Sequence, residues 1–295
     1  MSSTPIDLSV CTNSLDLGFA NLSWLQTIFL GIVQGFTELL PISSTAHLRV
    51  VPGLLGWPDP GSAFSAAMQL ASFAAVISYF YKDIKEIVTQ GTRDVVNKNF
   101  STPSAQMWLG IAIGTIPLVI CGALLKTTLN ECNSPLRSLW VIGVACVVMS
   151  LLLAWSETKA KHDRSFGEIT TRDGILVGIA QVFALIPGVS RSGSTLTAAL
   201  FCGMNRETAA RFSFLLGLPA ITLAGAHEIF VLAKAGLDIR AWEILGVGLV
   251  SASITAFIAI YGLLKYLENS STWIFVWYRF ALGCFLILGS VFSIF

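Results

Sequence analysis

The sequence predicts an all-α polytopic membrane protein, with six transmembrane helices plus two re-entrant hairpins in an inverted-topology repeat. Three observations predict it. The 295 residues are 54% hydrophobic and 12% charged, with a mean hydropathy of +0.74, whereas a soluble domain carries about 25% charged residues. Two segments of membrane-depth composition interrupt themselves with Pro, Ser and a charge, and unwound backbone is tolerated in lipid only where it lines a polar cavity. Those two segments also open alike, as Gly-Ile-x-Gln-x-Phe, with Gln34 and Gln181 placed 147 residues apart. The net charge of +1 and the lack of a basic cluster with interleaved aromatics give no ground for a nucleic-acid role.

Along the chain, residues 1–23 form a polar N-terminal segment without the basic n-region and apolar h-region of a cleavable signal. The first spans are therefore expected to direct insertion. The first interrupted segment, 31–47, is helical in pattern through Glu38, breaks at Pro41 and continues with hydroxyls. Apolar stretches at 64–81, 107–125 and 139–155 are each long enough to cross a bilayer, completing a first repeat over 24–155. A polar linker, 156–173, joins the halves. The second interrupted segment, 178–195, breaks at Pro187 and precedes a helix-like run from Ser194 to Met204. Spans at 212–233, 242–264 and 274–295 complete a second repeat over 174–295. Phe64-Ser65 and Phe212-Ser213, 148 residues apart, extend the parallel, as do Leu109-Gly110 and Leu245-Gly246.

One re-entrant segment plus three spans per half places the halves in opposite orientation, so the hairpins enter from opposite faces. Loops 82–106, 156–173, 204–211 and 265–273 hold eleven Lys and Arg residues, against five on the other side, which puts the former in the cytoplasm. The mouth of the first hairpin then faces outward. Trp24, Trp57, Trp108, Trp140, Trp242 and Trp273 fall near span ends, as interfacial anchors do.

The second break, Pro187-Gly-Val-Ser190-Arg191-Ser192-Gly-x-Thr195, combines a turn-forming glycine with a helix start. Such a start exposes N–H groups toward an anion. Arg191 adds a planar fork suited to a phosphoryl group, and Ser190, Ser192 and Thr195 add hydroxyl donors. The plain alternative is a capped helix whose Arg pairs with a carboxylate. The first break supplies Glu38, with Gln34 one turn earlier on the same face, then Ser43, Ser44, Thr45 and His47. A Ser near a His and a carboxylate has the parts of an activated nucleophile. We expect Glu38 to orient His47 as base for Ser44, in the manner of a triad, although His47 could itself be the nucleophile.

Other sites fail on spacing. His47, His162 and His227 are too dispersed for a zinc site. His162 reads as a solvated loop residue and His227-Glu228 as a polar pair at a helix end. Arg191 interrupts the Gly-x-Ser-Gly of an intramembrane serine protease. No His follows Ser190-Arg191 closely enough for the lipid phosphatases of the acid-phosphatase superfamily. The six cysteines show no ligand spacing, and Cys11 and Cys132, in polar segments, read as free thiols.

The motifs Gln34-x-x-x-Glu38, Pro41-x-Ser43-Ser44-Thr45-x-His47 and Pro187-Gly-Val-Ser190-Arg191-Ser192-Gly-x-Thr195 resemble those of the undecaprenyl-diphosphate phosphatases, the bacitracin-resistance family. The likeness runs from about residue 24 to the C-terminus and includes Phe64-x-x-x-x-Gln69-Leu and Tyr278-Arg279. It implies hydrolysis of the C55 polyprenyl diphosphate to the monophosphate and inorganic phosphate, recycling the carrier for cell-wall synthesis in the bacterial plasma membrane. It implies catalytic roles for Glu38, Ser44, His47 and Arg191, and diphosphate binding by Gln34, Ser43, Thr45, Ser190, Arg191, Ser192 and Thr195. A divalent cation, Mg²⁺ or Ca²⁺, is also implied, with Glu38 as its protein ligand and much of its coordination left to substrate. Bacitracin would compete for the substrate, and a homodimer is left open. A polyprenyl-phosphate transporter or flippase is the alternative reading, since inverted repeats with broken helices are transporter architecture.

Overall fold

Both interrupted segments fold as two short helices joined at the proline break. The computed structural model describes residues 17–125 and 135–292. Cys11 and Cys132 lie outside the described residues. Helix α1 (Trp24–Leu39) starts at a capping box, in which Ser23 N–H donates to Gln26 Oε1 at 2.8 Å and Gln26 N–H donates to Ser23 Oγ at 3.4 Å. It ends because Leu40, ahead of Pro41, is pushed to extended backbone. Helix α2 (Ser44–Leu55) follows the break. The second segment repeats this plan with α9 (Thr171–Val182), a 3₁₀ turn at Phe183–Leu185, the Pro187-Gly188 break and α10 (Arg191–Phe201). Helix α10 thus starts three residues before the run expected from Ser194, and Arg191 occupies its first position.

Between and after these segments lie six helical stretches long and apolar enough to cross a membrane. The first, Gly61–Tyr79, comprises α3 (Gly61–Ala67) and α4 (Gln69–Tyr79). The others are α7 (Pro103–Leu124), α8 (Leu139–Lys159), α11 (Arg206–Lys234), α12 (Ile239–Leu267) and α13 (Trp273–Val291). The protein is therefore an all-helical multi-pass membrane protein, with no strand element among the described residues. The stretch expected as a loop from 82 is instead largely helical: α5 (Tyr81–Glu86), a π turn (Ile87–Gly91) and α6 (Thr92–Val96). Gln90 Nε2 donates to Asp94 Oδ1 at 2.8 Å, an i,i+4 pair, and Gly91 packs against Trp108, so the segment has both local and tertiary support.

The packing pairs each half with the other. Helix α1 lies along α12, α9 lies along α7, α8 pairs with α13, and α4 meets α11. Both broken segments use glycine for close approach. A Cβ on Gly31 would sit 2.8 Å from Gly248 O, and one on Gly35 would sit 2.5 Å from Ala252 O. Gly174 and Gly178 would likewise collide with the backbone of Gly110 and Gly114. Gly110 on α7 and Gly248 on α12 therefore play corresponding parts. Gly246, matched to Gly110 from sequence, faces open space.

Charge at one end of the bundle fixes the helix starts there. Arg206 pairs with Glu157, which also accepts from Thr272 Oγ1 at 2.8 Å, so α8, α11 and α13 share one carboxylate. In the linker, Arg164 Nη1 and Nη2 donate to Asp173 at 2.9 and 2.6 Å. Burial pushes the Asp173 carboxyl up, but its bonds from Arg164 and Thr170 outweigh this and hold it below its ordinary value. His162, in the same linker, has its Nε2 3.1 Å from Glu157 O.

Candidate active site

The two breaks meet inside the bundle, and each is capped in the same unusual way. Ser43 (φ 73°) and Ser190 (φ 64°) precede α2 and α10, and both sit in the left-handed region that non-glycine residues rarely adopt. Ser43 Oγ accepts from Ala46 N–H at 3.4 Å, and Ser190 Oγ accepts from Gly193 N–H at 3.2 Å, so each serine caps its helix. The hydroxyl two residues on reaches across. Thr45 Oγ1 accepts from Gly188 N–H at 3.3 Å, while Ser192 Oγ donates to Glu38 O (3.0 Å) and Leu40 O (3.1 Å). Each break thus satisfies backbone groups of the other, as unwound chain at membrane depth requires.

Glu38 is the hub of the cluster. It is 8% exposed. Its Oε2 accepts from Ser44 Oγ at 2.6 Å and from Gln34 Nε2 at 3.2 Å, and its Oε1 accepts from Arg191 Nη2 at 3.1 Å. Ser44 and Arg191 hold matching places, each first in its short helix, on either side of one carboxylate. Gly217 on α11 makes room for the guanidinium, since a Cβ there would collide with Arg191 Nη1.

His47 does not join this cluster. Its Nδ1 lies 2.8 Å from Ser43 O and its Nε2 lies 2.7 Å from Tyr278 Oη, with the two rings parallel at 5.7 Å. A carbonyl only accepts, so Nδ1 carries the proton and Nε2 accepts from the tyrosine hydroxyl. The triad order expected from sequence is therefore not the one formed. Glu38 bonds Ser44 directly, and His47 is fixed by Ser43 and Tyr278. Thr195 also points elsewhere: its hydroxyl donates to Arg191 O at 2.8 Å and shares a contact with Ser213. Gln181, the counterpart of Gln34, is fully buried, and neither amide atom has a partner among the described residues.

Arg279 enters the sequence reading only through the Tyr278-Arg279 likeness. It lies wholly buried behind the breaks, donating to Pro41 O at 3.3 Å, Gly188 O at 2.6 Å and Val189 O. A lone Arg within the last apolar span was the signal that could have found it. Among the described residues no three His, Cys, Asp or Glu side chains come together as a metal cage. Glu38 with the Ser44 hydroxyl fits only a cation that draws most of its oxygens from a bound phosphate and water.

A multi-pass helical bundle that gathers two helix N-termini, a guanidinium, hydroxyls and one carboxylate in its interior has the donors that suit a phosphorylated ligand. The chain is a member of the bacitracin resistance protein BacA family, whose sequence model matches residues 27–285. It is 57% identical over 257 residues to undecaprenyl-diphosphatase 2 of Mesorhizobium japonicum, covering 87% of this chain and 97% of that one. It is 51% identical over 284 residues to the undecaprenyl-diphosphatase of Trichormus variabilis (96% and 88% covered). Against the undecaprenyl-diphosphatase of Trichodesmium erythraeum the figures are 45% over 287 residues, with 97% and 92% covered.

Proposed function

We propose that the protein hydrolyses undecaprenyl diphosphate to undecaprenyl phosphate and inorganic phosphate, returning the lipid carrier to cell-wall synthesis. The observation that carries this reading is the Ser44–Glu38–Arg191 cluster, joined by bonds of 2.6 and 3.1 Å. Simple anion recognition has no use for a carboxylate bonded to a serine hydroxyl, and relatives 45–57% identical are undecaprenyl-diphosphatases.

Arg191 turns from Glu38 to the incoming phosphate, joined by the first-turn amides of α10 and by the Ser190 hydroxyl, while Ser192 keeps its bond to the first break. Ser44 Oγ attacks the terminal phosphorus, and its proton passes to Glu38 Oε2. The bond from that phosphorus to the bridging oxygen breaks, and its electron pair leaves with the polyprenyl monophosphate, which takes the proton from Glu38. Water then attacks the phosphoserine with Glu38 as base, inorganic phosphate leaves and Ser44 regains its proton. Gln34 orients the carboxylate, and Tyr278 holds His47 in one tautomer beside the cap at Ser43. Mg²⁺ or Ca²⁺, held on the protein side by Glu38, would supply charge neutralisation at the phosphate oxygens.

The halves form an inverted repeat with re-entrant hairpins. The exchange of partners, α1 on α12 and α9 on α7, and the matched left-handed serines support this arrangement. On this reading the protein lies in the bacterial inner membrane, and the Lys and Arg count supports a site opening to the outer face, where bacitracin would compete for the diphosphate lipid. In a cysteine-free background, Leu55→Cys should react with an impermeant thiol reagent on intact cells and Gly167→Cys should not; the opposite labelling would invert the topology.

Phosphate release from the C55 diphosphate by purified protein in detergent tests the activity. A flippase needs a membrane and releases nothing, so intact substrate after prolonged incubation would favour the transport reading.

A further inference from the structure

A buried cation without a carboxylate beside it is costly at membrane depth, and Arg279 is one. Its side chain is 0% exposed, and it takes part in none of the ion pairs among the described residues. Its partners are backbone carbonyls from both chain breaks: Nη1 donates to Pro41 O at 3.3 Å, and Nη2 to Gly188 O at 2.6 Å and to Val189 O. Its Nε has no acceptor among the described residues. Nη1 also lies against the first turn of α10, where a Cβ on Gly193 would collide with it. One planar fork from the last span therefore spans the gap between two segments that lie far apart in the chain.

We propose that Arg279 is a positioning residue of the phosphoryl-transfer site: it ties both chain breaks to one guanidinium and so fixes Ser44, first in α2, opposite Arg191, first in α10. The inference rests on the hydrolase reading. Pro41 lies three residues before Ser44, and Val189 lies two before Arg191, so a shift of either carbonyl moves a helix start that carries a reacting group. Misplacement by about 1 Å at such a site costs on the order of 100-fold in rate. The tie also accounts for the bare Gly193 within a helix, where glycine is otherwise a poor choice.

The test compares Arg279→Gln, Arg279→Lys and Gly193→Ala with the unmodified protein, each purified to a monodisperse peak in detergent. Phosphate release from the C55 diphosphate is expressed as kcat and KM per folded molecule. Arg279→Gln should lower kcat roughly 100-fold and change KM by less than about threefold, because Arg279 does not touch substrate. Arg279→Lys keeps a charged donor and should recover about tenfold of that loss. Gly193→Ala leaves Arg279 in place and favours the helix, yet its methyl displaces Nη1, so kcat should fall about tenfold. A purely structural role would lower the yield of folded protein and leave kcat of the folded fraction unchanged; that result overturns the proposal. Where the Arg279 variants do not fold, Gly193→Ala decides, and unmodified kcat there overturns it too. Unmodified protein that releases no phosphate would sink the hydrolase reading instead, so the two failures are told apart.

Discussion

Replacing Glu38 with Gln changes one atom type at the centre of the site. The carboxylate accepts three bonds, from Ser44, Gln34 and Arg191. An amide of the same shape can accept on one side only. If its oxygen faces Arg191, its NH₂ meets the Gln34 amide and turns the Ser44 hydroxyl into an acceptor, so the serine proton has nowhere to go. If it is flipped, the NH₂ meets the guanidinium. Loss of a positioned base costs typically 10²- to 10⁴-fold, and the middle of that range, about 10³-fold, is about 4 kcal/mol in the barrier. Steady-state phosphate release from the C55 diphosphate measures it, with His47→Ala and Gln34→Ala as companions. Gln34 contributes one bond at 3.2 Å and moves no proton, so its loss should stay within about tenfold. His47→Ala should fall between the two or match Glu38→Gln. A Glu38→Gln enzyme within tenfold of the parent, or three equal small losses, would refute Glu38 as the base and leave a structural hairpin.

Arg191→Lys should cost about 100-fold in kcat/KM without loss of fold, because Lys keeps the charge and loses the fork; near-parental turnover would remove Arg191 from the phosphate clamp. Ser44→Ala should abolish both turnover and any covalent phosphoryl adduct, and the adduct in the parent enzyme should survive acid as phosphoserine does; an acid-labile adduct that persists in Ser44→Ala would assign the nucleophile to His47. Asp173→Asn should destabilise the protein at neutral pH by roughly 2–3 kcal/mol, since it removes one partner of a largely buried ion pair and one half of a capping box. The Asp173 carboxyl is held below its ordinary value of 3.8, so its contribution is complete above that pH and is lost as pH falls through the lower folded value. Thermal unfolding in detergent should therefore show the gap between parent and variant closing only well below pH 4; a gap that closes above pH 5 would contradict the assignment.

The six crossing helices are legible in the sequence because long apolar runs have few other fates, and the breaks are legible because proline leaves little choice. The helix ends extend past the apolar windows, as at Arg206 and Lys159, where charged residues occupy a first and a last turn. The segment after Tyr81 escapes a sequence reading because its support comes partly from Trp108, which only the folded chain brings near Gly91. The site was legible in its membership, through Glu38, Ser44 and Arg191, and less so in its wiring. His47 sits three residues from Ser44, but α2 turns its ring toward Tyr278, 231 residues away. Arg279 carried a signal, a charge within an apolar span, but its carbonyl partners have no side-chain signature. The glycine register failed for a similar reason: which face of α12 meets α1 depends on the crossing, and Gly248 rather than Gly246 lies on that face.

The exchange of caps between the two breaks bears on the order in which the chain can be completed. The backbone N–H of Gly188 and the carbonyl of Glu38 find their partners only when both breaks are present, and Pro41 O waits for Arg279, near the end of the chain. During synthesis the first broken segment leaves the ribosome some 150 residues before its complement, a delay of roughly 7 to 30 s at ordinary elongation rates. Throughout that interval its open turn needs water or the insertion machinery to satisfy it, because lipid offers no donor. A nascent chain truncated before α13 thus holds every polar group of the Ser44–Glu38–Arg191 cluster and lacks the guanidinium that joins the breaks, so assembly of the site is the last event in the life of the nascent chain rather than the first.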